Sequence, residues 1–403
     1  MGSALCQKIH FNQQYIKKMR FIILTFISIL ICSGQVLYGR IILPAIISDH
    51  KVLQQEASVT IWGWTTQTRE DIQVWGSWGK DTVVTRPQAG RWSVQLKTPK
   101  AGGPFSLFIL GKDRIEIQDV LIGEVWLGSG QSNMEMPMHK IPAYQGDIEK
   151  AIYPEIRFFK VERKTSPYPQ DDLVGKWVKC NQNTVKTYSA VKYFIAKMLH
   201  DSLKVPIGSI ESSWGGTPAD AWTPAEYLLS DPVLAAAAEG IQGKSPSPRT
   251  PGILYNAMIH PLIRYRIKGI TWYQGESNRW RPHTYQRLMV KMIESWRNKW
   301  GSKLPFYFVQ IAPYDYQRLR GQAGAPYIRE AQLKTLVSPH TGMVVTADVG
   351  DSTDIHPQRK REVGERLGYW ALAKDYGREL LVFSGPLYKD VKVVGKEIYI
   401  YFE

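Results

Sequence analysis

The sequence predicts an α/β chain in which a parallel sheet is preceded by a smaller β-rich region. Three observations carry this prediction. From about residue 118, short apolar runs alternate with segments whose apolar residues recur at helical spacing. Between residues 40 and 117 the pattern is one of short, nearly alternating strands punctuated by Gly and Pro. Four polar segments each fall directly after an apolar run, where open α/β sheets place their ligand-binding loops.

Taken in order, residues 1–39 read as an export signal. Lys17-Lys18-Met19-Arg20 is a basic start, and Phe21 to Cys32 is an apolar run too short to span a bilayer. Met19 is an alternative start, and cleavage is expected after Gly34 or Gly39. The protein is therefore expected to be exported, periplasmic or secreted, without a stable membrane span. Cys32 raises a lipoprotein alternative, but Ile31 before it is a poor match to the small residue such a site needs.

Residues 40–117 hold Val59–Trp64, Ile72–Trp75 and Trp92–Leu96, a spacing that predicts a small β-sandwich packed beside the larger domain. Residues 118–380 form that larger domain. Val120-Leu121-Ile122 and Val125-Trp126-Leu127 predict its first strand, and Ile156–Val161, Val205–Ile210, Ile267–Tyr273, Pro305–Ile311 and Met343–Ala347 predict others. Tyr188, Val191, Phe194, Ile195, Met198 and Leu199 predict a helix over 187–203. Tyr285, Leu288, Met289, Met292, Ile293, Trp296 and Trp300 form a second apolar stripe, closed by Gly301, and Arg359 to Asp375 is a third helix. The insert from Tyr227 to Gly252 predicts a short helix and a loop near the pocket mouth. Residues 381–403 read as strands (Leu381–Phe383, Val391–Val394, Ile398–Phe402) opening a C-terminal β segment, with the sequence stopping inside the last.

Charge and cysteine content narrow the function. The 403 residues carry a formal charge of +15, and about +11 remains without the first 39. There is no Lys/Arg block of nucleic-acid type, so a solvated basic surface is expected rather than a nucleic-acid partner. Of three cysteines, Cys6 and Cys32 lie in the leader, leaving Cys180 with no disulfide or zinc spacing. Gly128-Ser129-Gly130 lacks the further glycine of a dinucleotide fingerprint.

The four polar segments carry the chemistry. Gly128-Ser129-Gly130-Gln131-Ser132-Asn133-Met134 places Ser132 on a turn beyond a buried strand. A serine hydroxyl is a weak nucleophile until a base takes its proton. The others are Glu211–Thr217, Trp272–Asn278 and Asp354-Ile355-His356-Pro357. Together these segments resemble the four blocks of the SGNH hydrolase superfamily, and more narrowly the sialate O-acetylesterase group of carbohydrate esterases. The resemblance runs from about Ile41 to the last residue.

The resemblance implies an SGNH three-layer α/β/α domain with a parallel sheet. It implies Ser132 as nucleophile and His356 as base, with His139, His260 and His283 structural or pocket-lining. The superfamily aspartate three residues before the histidine is replaced here by Thr353. Asp354 is the favoured orienting acid, with Asp351 or a backbone carbonyl as alternatives. Oxyanion donors are expected from the N–H of Ser132, an N–H of Gly215 or Gly216, and the amide of Gln274 or Asn278. Gln131, Trp214 and Glu276 are expected around the substrate, Glu276 also bracing the loops. No metal or other cofactor is required.

The expected function is an exported serine carbohydrate O-acetylesterase that removes O-acetyl groups from sialic acids through an acyl-enzyme. Acetyl xylan or another plant glycan is the alternative substrate, and a non-catalytic glycan-binding protein the alternative class. The expected partner is thus an O-acetylated carbohydrate, with the oligomeric state left open.

Overall fold

The computed structural model describes residues 40–402 apart from 68, 242–246 and 317–323. The expected export signal lies outside the described residues. Elements in the N-terminal part are β1 (Ile41–Ile42), β2 (Val52–Gln54), β3 (Ser58–Thr65), β4 (Ile72–Gly76), β5 (Thr82–Thr85), β6 (Arg91–Lys97) and β7 (Gly102–Leu110). Then comes β8 (Arg114–Gly130), a strand of 17 residues. Its first part alternates between exposed and buried positions, whereas every residue from Val120 to Gly130 is buried. The change occurs next to Asp119, which has a left-handed backbone (φ 53°) and accepts two bonds from the buried guanidinium of Arg157.

The buried half of β8 is the centre of the main sheet. Its partners are β9 (Tyr153–Lys160), β10 (Trp177–Cys180), β11 (Ile207–Ser213), β12 (Gly269–Tyr273), β13 (Phe306–Val309) and β14 (Thr341–Val344), in the order β10-β9-β11-β8-β12-β13-β14. All neighbours are parallel except β10 on β9. Side chains of a strand alternate between its two faces. Val125, Leu127, Ile270, Trp272, Phe306 and Phe308 accordingly join one apolar cluster, and Trp126, Tyr273, Tyr307 and Val309 another. This burial on both faces explains the near-continuous apolar runs in the sequence.

Helices cover both clusters. Those that bear on the site are α1 (Ser132–Glu135), α2 (Ala190–Leu203), α3 (Pro232–Glu239), α4 (Pro282–Trp300), α5 (Gly324–Lys334) and α6 (Lys360–Asp375), beside three short helices at Gln145–Glu149, Gln182–Lys186 and Ala225–Leu229. α4 begins with Pro at its first position and ends on a left-handed Gly301, the expected start and stop signals. Its Met289, Ile293 and Trp296 enter the first cluster. α2 and α6 supply Val191, Phe194, Val363, Leu367 and Trp370 to the second. α3 lies in the insert where a short helix was expected, capped by the Asp231 carboxylate.

Two expectations are corrected. The boundary between residues 117 and 118 falls inside β8. β7 pairs antiparallel with the first part of β8, and β2 pairs parallel with Leu121–Gly123, so β4, β5 and β7 extend the main sheet. Among the described N-terminal strands, β1, β3 and β6 form a separate sheet, and its Ile61, Trp92 and Val94 share the cluster that holds Val125 and Trp272. The second correction is Leu381–Phe383, which is not a strand. Leu381 and Phe383 pack against the second cluster, Phe383 with its ring 4.6 Å from Trp370. The remaining C-terminal strands form an exposed antiparallel hairpin, β15 (Tyr388–Val394) with β16 (Glu397–Phe402). Among the described residues, no helix is long and apolar enough to cross a membrane.

Candidate active site

Three parallel strands end in register: Gly130 of β8 lies opposite Ser213 of β11 on one side and Tyr273 of β12 on the other. The loops that follow therefore emerge side by side at the C-terminal edge, where α/β sheets bind ligands. Gly130 has φ 139°, and a Cβ there would sit 2.2 Å from the Tyr273 carbonyl oxygen, so only glycine fits. Beyond it the Gln131 N–H donates to Tyr273 O at 3.0 Å, and the Trp214 N–H donates to Gly130 O at 3.0 Å. Ser132 then opens the one-turn helix α1.

Ser132 Oγ lies 2.8 Å from His356 Nε2, across 224 residues of sequence. Burial pushes the His356 pKa below its usual value. The charges of Lys360 and Lys140 push the same way, against the Asp354 carboxylate. The lowered pKa favours the neutral imidazole, the form whose Nε2 can accept a proton. Asp354 Oδ1 accepts the backbone N–H of His356 at 2.8 Å, and the same oxygen lies 3.9 Å from Nδ1, beyond hydrogen-bond reach. Asp351 instead shapes the turn, its Oδ1 accepting from Thr353 N, Thr353 Oγ1 and Asp354 N. Asp354, not Asp351, is the carboxylate beside the imidazole.

Several expected oxyanion donors are occupied. The Gly215 N–H donates to Glu135 Oε2 at 2.9 Å, and that carboxylate is also paired with Arg163. Gln274 is fully buried. Its Nε2 donates to Thr217 O and to Asn278 Oδ1 (2.7 Å), and its Oε1 accepts from the Tyr285 hydroxyl. Asn278 Nδ2 donates to Asp220 Oδ2 at 2.9 Å, and its Oδ1 also accepts the Ala219 N–H. Both amides brace the loops around the buried Asp220, which Arg281 neutralises. The Ser132 N–H stands at the start of α1, where helical N–H groups have no intrahelical acceptor. Gly216, half-buried and left-handed at φ 74°, follows Gly215, where a Cβ would sit 3.3 Å from Ser132 Cβ.

The expected substrate residues divide. Trp214 is half-buried, with the Arg163 guanidinium 5.7 Å from its ring. The other tryptophans near the segments, Trp126, Trp222 and Trp272, are core. Gln131 is buried, and its Oε1 accepts the Ser277 N–H. Glu276 is also buried, 3% exposed, and Asn133 Nδ2 donates to its Oε1 at 2.6 Å. It braces the loops from beneath the site rather than facing a substrate. His139 and His260 have their Nδ1 atoms bound to the backbone carbonyls of Lys186 and Gln170, as structural histidines do.

The family model of the carbohydrate esterases described as sialic acid-specific acetylesterase matches residues 122–373, from the buried half of β8 into the last turn of α6. The chain belongs to this family. The esterase is 33% identical over 394 residues to the sialate O-acetylesterase of Pongo abelii, which covers 86% of this chain and 73% of the relative. The sialate O-acetylesterase of Mus musculus is 32% identical over 412 residues, covering 86% and 76%. A solved carbohydrate acetylesterase from Xanthomonas citri superposes with a TM-score of 0.82 at 35% identity, over 90% of this chain and 82% of that one. The esterase is thus a carbohydrate ester hydrolase with a mixed α/β fold.

Four residues around the esterase's site were missed in sequence. Glu135, Asp220 and Lys360 sit in loop or helix positions that read as solvated, yet Asp220 and Lys360 are buried and Glu135 is largely so. No local pattern distinguishes them. Asn133 did carry a signal, its place directly after Ser132.

Proposed function

We propose that this esterase is an exported serine O-acetylesterase of SGNH three-layer architecture that removes O-acetyl groups from sialic acids. The observation that carries the mechanism is the 2.8 Å contact of Ser132 Oγ with His356 Nε2 at the strand ends. The family membership and the sialate O-acetylesterases among its relatives support the substrate class.

Ser132 Oγ attacks the acetyl carbonyl carbon while His356 Nε2 takes its proton. The carbonyl oxygen becomes an oxyanion that the Ser132 and Gly216 N–H groups are suited to hold, each such donor contributing about 3 kcal/mol. His356 returns its proton to the sugar oxygen, which leaves as an alcohol. A water, deprotonated by His356, then attacks the acetyl-serine ester, and His356 returns that proton to Ser132 Oγ as the C–O bond breaks and acetate is released. Asp354 acts on the imidazolium through space and on its loop through the backbone bond.

The test is acetate release from O-acetylated sialic acid, acetylated xylan and a small acetyl ester, by the wild type and Ser132→Ala. Activity on sialic acid that falls at least about 10³-fold in the variant is expected. Unchanged activity in the folded variant would sink the serine mechanism. Activity confined to xylan would move the substrate, and glycan binding without turnover would favour a non-catalytic role. Recovery of the expressed full chain from periplasm or medium tests export.

A further inference from the structure

Three buried polar side chains beneath the Ser132–His356 contact have no part in the chemistry just described. Asn133 directly follows the nucleophile, and Ile355 directly precedes the base. Asn133 Nδ2 donates to the Ile355 carbonyl at 3.1 Å and to Glu276 Oε1 at 2.6 Å, and Asn133 Oδ1 accepts from Lys360 Nζ at 2.5 Å. Asn133, Glu276 and Lys360 are 1%, 3% and 0% exposed. One amide thus joins the nucleophile turn, the β12 loop, the start of α6 and the histidine loop.

The partners decide which way this amide points. An ammonium only donates and an ionised carboxylate only accepts. Oδ1 must therefore face Lys360 and Nδ2 must face Glu276, which aims the second amide hydrogen at Ile355 O. The arrangement is not the cheapest way to fill this space. Burying a cation and an anion is unfavourable before their partners are counted, and apolar side chains of equal volume avoid that cost. Glu276 Oε2 even has no partner among the described residues. What an apolar filling would lose is the tether to the histidine loop. That tether matters because, among the described residues, no carboxylate is within hydrogen-bond reach of His356 Nδ1, and Asp354 Oδ1 lies 3.9 Å from it.

We infer that Asn133 is a positioning residue that seats His356 against Ser132 through the Ile355 carbonyl, and that Lys360 and Glu276 hold its amide in the working orientation. The inference rests on the serine-esterase reading above. Loss of the Lys360 charge leaves Arg279 as the remaining cation acting on Glu276, in a site where burial already raises its pKa. A protonated Glu276 becomes a donor, the amide reverses, and two oxygens then face each other at Ile355. Lys360 has a second effect. Its pKa is lowered to about 7 by burial, so the ammonium is charged below neutrality and disfavours the imidazolium of His356. The other charged groups acting on His356 are Lys140, in the same direction, and Asp354, in the opposite one.

The experiment compares Asn133→Ala and Lys360→Met with wild type and Ser132→Ala on a small acetyl ester. It records kcat, KM, the pH profile and the thermal midpoint. A misplacement of about 1 Å costs on the order of 100-fold. The expectation is that kcat falls about 100-fold in Asn133→Ala and at least about 10-fold in Lys360→Met, with KM changed by less than about threefold. In Lys360→Met the acid limb of kcat/KM moves to higher pH, and the His356 pKa followed by NMR rises with it. Full kcat in both folded variants overturns the inference. So does an unmoved acid limb, or an activity loss that merely tracks unfolding. Should the wild type show no hydrolysis that Ser132→Ala abolishes, the serine reading fails. The NMR titration then decides alone, and an unmoved His356 overturns the inference.

Discussion

At the scale of single residues, the proposed nucleophile and base, Ser132 and His356, are in contact, with the Asp354 carboxylate held at one remove. Asp354 Oδ1 accepts the His356 backbone N–H but stays 3.9 Å from the ring nitrogen. Asp354→Asn keeps an oxygen for that backbone bond and removes only the charge. Its kcat is expected to fall about 10-fold, far less than the roughly 10⁴-fold that follows loss of a hydrogen-bonded triad carboxylate. A fall of the larger size in steady-state kinetics would show that the pair closes during turnover. The same environment sets the pH dependence. Burial and the neighbouring lysines lower the His356 pKa, and the base works only when neutral. Activity is therefore expected to rise with pH along an acid limb centred below 6.5, the unperturbed histidine value. A kcat/KM profile centred above 6.5 would contradict this.

At the scale of elements, function depends on where strands stop. Because Gly130, Ser213 and Tyr273 are in register, their loops share one edge, and the step past Gly130 brings the chain close to Tyr273 O. Gly130→Ala places a methyl group 2.2 Å from that oxygen at φ 139°. It is expected to destabilise the fold by about 2–4 kcal/mol, read from urea unfolding, and to lower kcat by displacing Ser132. Strands and helices of this region were legible because their periodicity is strong: the stripe of α4 and the apolar runs of β8, β11 and β12 are each buried as their patterns imply. Leu381–Phe383 was misread because a short apolar run fits either a strand or a loop pinned to a core.

At the scale of the whole molecule, β8 joins what the strand and helix patterns suggested were two domains. It pairs with β7 along its first part, with β2 at Leu121–Gly123, and with β11 and β12 beyond. Ile61 and Val94 lie in the same apolar cluster as Trp272 and Trp296. Residues 41–402 are therefore expected to unfold in a single calorimetric transition, and a chain beginning at 118 is expected to be insoluble or unfolded. Two separated transitions would restore the boundary at 117.

The sequence by itself determined the alternation of strands and helices, the four loop segments, and Ser132 and His356 as the pair to test. Those signals are local, because they rest on periodicity, on turn residues and on motifs a few residues long. Only the tertiary structure decided which polar groups face the site and which are consumed beneath it. Gly215, Gln274 and Asn278 were expected to donate to an oxyanion, and each is bound to a distant partner, Glu135, Thr217 or Asp220. Lys360 meets Asn133 across 227 residues. A hydrogen bond needs both partners at about 3 Å, and partners so far apart in sequence are brought there by packing alone.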